Sequence, residues 1–195
     1  MRDFVINYVN EVKLICDSIS IEDIVSLSIA IESIKVKRGR LFFLGVGGSA
    51  GNASHAVNDF RKILGIESYS VSDNVSELTA RINDDGWDTS YSNWLRVSNL
   101  SDNDALVILS VGGGSSTTSK NLVKSIDLAK EVGSKVLSIV SRDGGYCKQN
   151  SDVCVLIPVV HSDRITPHAE EWQGIVWHLV VNLVSQLTTH ERTIS

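Results

Sequence analysis

The 195-residue chain has few cysteines, only two prolines and no long apolar segment. Its three cysteines, Cys16, Cys147 and Cys154, are odd in number and widely spaced, which argues against a disulfide framework or a zinc finger. The N-terminal stretch MRDFVINYVNEV carries charges that a signal peptide would lack, and no apolar run reaches the ~18 residues that a membrane span needs. We therefore expect a cytoplasmic protein that does not act at a membrane.

The charge balance argues against a nucleic-acid partner. The chain has 18 Lys and Arg against 23 Asp and Glu, a formal net charge of -5. Its densest basic run, KVKRGR at 35–40, is too short to follow a phosphate backbone. The length suits a single domain over 1–195 that can bury a core of its own.

Hydrophobic periodicity predicts an α/β fold behind a pair of N-terminal helices. Apolar residues recur at helical spacing over 2–17, and the capping signal SIED at 20–23 opens a second helix to about Val36. We expect this hairpin, 1–36, to serve oligomerisation and 37–195 to form the α/β core. Short apolar strands alternating with helices predict a parallel sheet that is covered on both faces. The predicted strands are 41–45, 67–72, 105–111, 134–140 and 153–159, and the clearest helices are 50–64, 116–132 and 170–189.

Glycines and hydroxyl residues follow three of these strands, in the loops GVGGSAG, SVGGGSSTTS and SRDGGY. Ligands bind at the carboxyl ends of strands in such folds, so the three loops predict one site on one rim. Glycines let backbone N–H groups approach an anion, and hydroxyls donate to phosphate oxygens. The first loop also fits a dinucleotide pattern, but no convincing ribose-binding acid follows it, and no P-loop is present. Among phosphate ligands, a sugar phosphate fits these loops best. The simpler interpretation is that the glycines and hydroxyl residues only form tight turns and helix caps.

Four titratable residues are candidates for chemistry. His55 and Asp59 share a face of the helix after the first loop, where they could bind a metal, act as acid and base, or simply hydrogen-bond. Glu170 and His178 are eight residues apart, which is ~12 Å of rise on one helix. Either the helix begins after Glu170, or the two residues serve sites shared between subunits. His178 has apolar neighbours in sequence, where a histidine is more often a core residue.

The segments LFFLGVGGSAGNASHAVNDF, SVGGGSSTTSKNLVKSI, GSKVLSIVSRDGG and the stretch from DRI to WHL resemble the sugar isomerase (SIS) fold, and within it the phosphoheptose isomerases. The resemblance covers nearly the whole chain. It implies a single SIS domain with a flavodoxin-like, five-stranded parallel sheet, a homotetramer with active sites at subunit contacts, and often a zinc ion. Its metal and catalytic positions match His55, Asp59, Glu170 and His178. The substrate-binding positions that it implies are Gly47, Gly48, Ser49, Asn52, Asp84, Ser110, Gly112, Gly113, Ser115 and Asp163.

The chain departs from the family pattern at several of these positions. Val46 stands where the family usually has Asn, Asp59 where it has Glu, and Glu170 where it has Gln. In the second loop, Val111, Gly112 and Gly114 stand where the family has Thr, Ser and Asn. One phosphate donor is therefore lost, the base is one methylene shorter, and the site gains a negative charge.

The resemblance implies an aldose–ketose isomerase that converts sedoheptulose 7-phosphate to a heptose 7-phosphate through an enediol. Such a reaction needs a base to move a proton between neighbouring carbons and an acid to serve the oxygens. We expect Asp59 or Glu170 as the base and His178 as the acid, and a zinc ion on the four candidate ligands could polarise the carbonyl. One alternative is a non-catalytic SIS module that binds a sugar phosphate or a protein partner in a regulatory role. The other is a dinucleotide-binding oxidoreductase, which would need a second substrate domain.

Overall fold

Two helices precede a doubly wound α/β core in the computed structural model, which describes residues 1–194, with side chains described for 1–187. The helices α1 (Arg2–Ser18) and α2 (Ile21–Val36) confirm the predicted N-terminal pair. The Oγ of Ser20 accepts a hydrogen bond from the N–H of Asp23 at 3.1 Å, which is the predicted cap of α2. The core elements are β1 (Leu41–Leu44), α3 (Gly48–Lys62), β2 (Ser68–Ser70), α4 (Val75–Asp85), α5 (Trp87–Val97), β3 (Ala105–Leu109), α6 (Lys120–Val132), β4 (Lys135–Val140), α7 (Gly145–Asn150), β5 (Val153–Leu156), a 3-10 turn (Ser162–Arg164) and α8 (Ile165–Ile194).

The five predicted strands form one parallel sheet in the order β2-β1-β3-β4-β5. Leu41 at the start of β1 pairs with Ser68 of β2 on one side and with Ala105 of β3 on the other. The strand order therefore reverses between β1 and β3, which is the switch point at which ligands bind in flavodoxin-like sheets. The α/β prediction is confirmed.

Helices cover both faces of the sheet, and consecutive residues of β1 show how the two cores are divided. The ring of Phe43 packs 5.0 Å from that of Phe60 on α3, in the core that β1 shares with α2, α3 and α8. The ring of Phe42 packs 5.8 Å from that of Trp94 on α5, in the core on the opposite face with α5 and α6. Successive side chains of a strand point to opposite faces, so a continuous apolar run such as LFFL needs cover on both.

Two helix starts differ from their predicted positions. α8 begins at Ile165 rather than at 170 and runs unbroken to Ile194, so of the two alternatives for Glu170 and His178, a helix that begins after Glu170 is wrong. Pro167 lies in its first turn, where a missing N–H breaks no helical hydrogen bond. α6 begins at Lys120 rather than at 116, because the Oγ of Ser115 accepts hydrogen bonds from the N–H groups of Thr117 and Thr118. Such hydroxyl contacts compete with helix formation.

The N-terminal pair leaves much apolar surface uncovered. On α1 only Glu11 and Ile15 are buried, while Phe4, Val5 and Val9 are exposed. The three cysteines carry free thiols, as the sequence predicts. Among the described residues, no helix is both long and apolar enough to cross a membrane.

Candidate active site

A cavity of about 420 Å³ opens at the carboxyl ends of β1, β3 and β4, on the rim that the glycine-rich loops predict. Four of the predicted substrate-binding residues line it, namely Ser49, Ser110, Gly112 and Ser115. Thr118, Ser119, Arg142 and Asp143 line it as well, although they were not among the predicted residues. The run of hydroxyls in the second loop extends to Ser119, and the third loop contains Arg142. The sequence therefore already indicated that residues of these two loops could reach the site.

Two serines of the cavity already use their oxygens as acceptors for backbone N–H groups. The Oγ of Ser110 accepts from the N–H of Gly113 at 3.0 Å, and the Oγ of Ser115 accepts from those of Thr117 and Thr118 at 3.2 and 3.0 Å. A hydroxyl has one donor and two acceptor positions. The Ser115 hydroxyl therefore has only its proton left to offer, and the pattern suits a ligand rich in acceptors, such as a phosphate group.

The predicted glycines shape the loops around the cavity. Gly113 has a left-handed φ of 71°, and a Cβ there would lie 1.9 Å from the carbonyl oxygen of Gly144. The loop after β3 therefore packs directly on the loop after β4, and only glycine allows this approach. Gly47, with a φ of 64°, is the exposed N-cap of α3.

A second group of side chains lies on α3 and α8, where His55, Asp59 and His178 place one potential ligand atom each within 4.8 Å of the others. The Nδ1 of His178 lies 2.7 Å from the carbonyl oxygen of Gly174, so Nδ1 carries a proton and Nε2 is free. This Nε2 lies 3.7 Å from Oδ2 of Asp59. His178 is 48% exposed and is not a core residue.

The donor set of this group fits a zinc ion. Two imidazoles and one carboxylate are the ligands found in many catalytic zinc sites, where a further position stays open. A histidine that binds metal usually donates its other ring N–H to a carbonyl or carboxylate, as His178 does to Gly174. Asp59 is fixed on its other side, since its Oδ1 accepts from Nδ2 of Asn58 at 2.8 Å.

Glu170 lies outside this group of described side chains, at the N-terminal end of α3. A Cβ at Gly48 would lie 2.3 Å from Oε2 of Glu170, so glycine at this position makes room for the carboxylate. The positive end of the α3 dipole favours a negative charge there. Asn52 holds the two helices together, because its Nδ2 donates to the Glu170 carbonyl at 2.8 Å and to Oε1 of Gln173 at 3.1 Å.

Six of the ten predicted substrate-binding residues do not line the cavity, and two of these six are carboxylates on other elements. Asp84 is exposed in the last turn of α4, where its Oδ1 accepts from Nδ2 of Asn83 at 2.7 Å. Asp163 is exposed in the 3-10 turn before α8, where its N–H donates to Nδ1 of His161 at 3.2 Å. Neither carboxylate lines the cavity of this single chain, and their assignment to substrate stays a prediction.

Comparisons with known proteins agree on one family. A phosphoheptose isomerase of Helicobacter pylori (strain Shi470) is 31% identical over 166 residues, which cover 83% of this chain and 81% of that protein. One of Aneurinibacillus thermoaerophilus is 25% identical over 174 residues, 86% of this chain and 83% of that protein. The solved structure of a phosphoheptose isomerase from Neisseria gonorrhoeae superposes with a TM-score of 0.80 at 24% identity, over 95% of this chain and 98% of that chain, a likeness that shows the fold alone. No family model matches the chain.

Proposed function

The chain belongs to the phosphoheptose isomerase family, which makes it a sugar-phosphate isomerase, and we propose that it converts sedoheptulose 7-phosphate to a heptose 7-phosphate. The observation that carries the proposal is the pairing of two sites on one helix. The N-terminal end of α3 contributes Ser49 to the hydroxyl-lined cavity, and the same helix carries His55 and Asp59 beside His178. A binding module that does no chemistry would have no use for the second group.

The spacing along α3 suits a substrate whose phosphate and carbonyl lie at opposite ends. Ser49 and His55 are six residues apart, which is ~9 Å along a helix axis. A phosphate in the cavity would therefore leave an extended sugar chain to reach toward the histidines. This supports a ketose phosphate with a long carbon chain over a short one.

Asp59 is the proposed base and His178 the proposed acid. The isomerisation removes a proton from one carbon next to the carbonyl and returns one to its neighbour, while the oxygens gain and lose a proton. Asp59 is the carboxylate within 3.7 Å of the free Nε2 of His178, so the pair can serve adjacent atoms of a substrate. Glu170 lies at the other end of α3, beside Gly48, which favours Asp59 over Glu170 in this role.

Zinc is the proposed metal, held by His55, Asp59 and His178. Bound there, it would supply Lewis-acid polarisation of the substrate carbonyl. The Nε2 of His178 can bind a metal ion or carry a proton, but not both at once. His178 can therefore act as the acid only while its Nε2 is not bound to the metal. Glu170 could join these ligands only if the site is shared between subunits.

A homotetramer in the cytoplasm completes the proposal. The exposed apolar residues of α1 and α2 offer a surface for other subunits, and among them are Phe4, Val5, Val9 and Ile29. The free thiols and a phosphorylated substrate both fit a reducing cell interior.

The test is turnover of sedoheptulose 7-phosphate, followed as aldose formation by NMR. We expect conversion by the purified protein, loss of conversion after a chelator, and recovery when zinc is restored. Absence of turnover with zinc, manganese or magnesium would reject the isomerase and favour a regulatory SIS module. Full turnover in the presence of chelator, with no bound metal, would reject only the zinc proposal and leave the proton on Nε2 of His178.

A further inference from the structure

Arg142 brings a positive charge to the cavity at the switch point of the sheet. It lies in the turn after β4, in which the N–H of Gly144 donates to the carbonyl of Ser141 at 3.0 Å. Its side chain runs along the loop after β3, since a Cβ at Gly112 would lie 3.9 Å from Cδ of Arg142. Within residues 1–187, the Arg142 guanidinium forms neither a hydrogen bond nor an ion pair. The cavity therefore contains a cation that has no ion-pair partner among the described side chains.

The backbone of Arg142 is held in a conformation that glycine would adopt more easily. Its φ is 56°, and non-glycine residues with a left-handed φ number four among the described residues: Arg38, Asn99, Ser119 and Arg142. Arg38 and Asn99 follow the ends of α2 and α5, where a left-handed residue commonly ends a helix. Ser119 and Arg142 both line the cavity. Residues in disfavoured conformations cluster at functional sites, which gives a reason to look for a role of the side chain.

The surroundings of Arg142 suit an anion. The Ser115 hydroxyl, with its oxygen occupied by two N–H groups, can donate its proton either to a ligand in the cavity or to Oγ1 of Thr117, which lies 3.4 Å away. The carboxylate of Asp143 also lines the cavity and opposes an anion there; its Oδ1 accepts from the N–H of Gly145 at 3.1 Å, so the guanidinium is needed to make the cavity favour a phosphate. A guanidinium binds phosphate through charge-assisted, often bidentate hydrogen bonds, and the hydroxyls that line the same cavity can add further donors.

We propose that Arg142 is a ligand of the substrate's phosphate and the residue that makes this cavity select a dianionic phosphate monoester. The proposal deepens the proposed function of the same site and rests on it for the identity of the substrate. The guanidinium supplies the positive charge that attracts the phosphate, and the hydroxyls of Ser110 and Ser115 orient it by donating hydrogen bonds to its oxygens.

The experiment measures binding of inorganic phosphate by titration calorimetry at constant ionic strength, together with KM and kcat for sedoheptulose 7-phosphate. Two variants remove the charge: Arg142→Gln keeps the length of the side chain, and Arg142→Gly removes it while suiting the left-handed backbone. Arg38→Gly is the matched control, because it also removes an exposed arginine with a φ of 58°, but at the amino end of β1. Thermal unfolding of each variant checks the fold.

We expect both Arg142 variants to weaken phosphate binding and raise KM by roughly 10-fold or more, as for loss of a charged hydrogen bond, with kcat changed much less. Arg142→Gly should unfold at the temperature of the wild type or above. Wild-type affinity in both variants, an equal loss in Arg38→Gly, or no phosphate binding by the wild type would each overturn the proposal. A different result would reject the isomerase proposal alone: the wild type binds phosphate and the Arg142 variants bind it more weakly, but sedoheptulose 7-phosphate is not converted.

Discussion

At the scale of the residue, proton transfer in the proposed site depends on Asp59. Its Oδ2 lies 3.7 Å from Nε2 of His178, and its Oδ1 is held by Asn58. Asp59→Asn keeps the shape of the side chain but removes the base and, with it, one of the three proposed zinc ligands. We expect kcat for sedoheptulose 7-phosphate to fall by about 100-fold or more, the usual cost of losing a general base, while binding of inorganic phosphate is unchanged.

The matched control for this change is Asp102→Asn, which neutralises an exposed carboxylate before β3, at the amino end of the sheet. Its kcat should equal that of the wild type. If Asp59→Asn keeps its kcat, Asp59 is not the base, and Glu170→Gln becomes the variant to measure.

The residue pairs that could be predicted from sequence are those that one helix brings together. His55 and Asp59 are four residues apart, so any helix places them on one face. The rise along a helix also predicts that Glu170 and His178 do not meet, and Glu170 indeed lies by Gly48, outside the group. His178 joins this pair because α8 packs against α3. Residue spacing along the sequence cannot predict how two separate helices pack.

At the scale of the element, an ion cluster of Glu11, Arg164 and His168 fastens α1 to the start of α8. The Nε and Nη2 atoms of Arg164 donate to the Glu11 carboxylate at 2.7 and 2.5 Å, and Nε2 of His168 lies 2.8 Å from it. Glu11 is only 7% exposed and His168 3%. The hydrogen bonds from Arg164 and then His168 lower the pKa of Glu11 to about 2.

This cluster predicts a loss of stability in acid. Since the pKa of Glu11 is about 2 in the folded chain and 4.5 in a free side chain, its contribution is complete above pH 4.5 and disappears as the pH falls toward 2. Glu11→Gln removes the contribution at every pH. We expect the urea midpoints of wild type and Glu11→Gln to differ at pH 6 and to converge near pH 2.

Asp17→Asn, an exposed carboxylate on the same helix, serves as the control and should follow the wild type throughout. Parallel midpoints for wild type and Glu11→Gln between pH 6 and pH 2 would show that the ion cluster does not contribute as described.

The elements that the sequence analysis did not resolve are α4 and α5, which lie between β2 and β3. α4 has no buried residue at all, and Gly86, with a φ of 82°, separates it from α5. The apolar face of α4 is small, with Leu78 only partly buried against the core, and the two short helices follow each other without a strand between them. The late start of α6 has a different cause, since the hydroxyl of Ser115 holds the preceding segment in a loop.

At the scale of the whole molecule, the N-terminal pair presents an apolar face that a single chain does not cover. Val5 is 60% exposed, and Phe4 and Val9 are exposed on the same helix. Val5→Glu would cost a monomer little, but it would bury a charge in a subunit contact. We expect light scattering to give four times the protomer mass for the wild type and a smaller assembly for Val5→Glu.

Asn10→Glu introduces the same charge at an exposed polar position of α1 and should leave the tetramer intact. A wild-type protein that is monomeric at all concentrations would contradict the proposed assembly, and so would a tetramer that tolerates Val5→Glu.

The fold as a whole could be predicted because its signals are long and redundant. Five apolar strands alternating with helices define a covered parallel sheet, and glycine-rich loops after three of them mark one rim. The proposed assembly has no such signal in the sequence, because exposed apolar residues indicate a surface for a partner but not the geometry of the contact.

Proton NMR of the metal-replete wild-type protein with sedoheptulose 7-phosphate in deuterated water tests the central claim most directly. An enediol pathway through a carboxylate base that solvent can reach, as it can the partly buried Asp59, lets the transferred proton exchange with solvent. We therefore expect an aldose heptose 7-phosphate to appear with deuterium on the carbon next to its aldehyde. A substrate that is neither converted nor exchanged, in the presence of zinc and with phosphate binding intact, would contradict the isomerase site proposed for His55, Asp59 and His178.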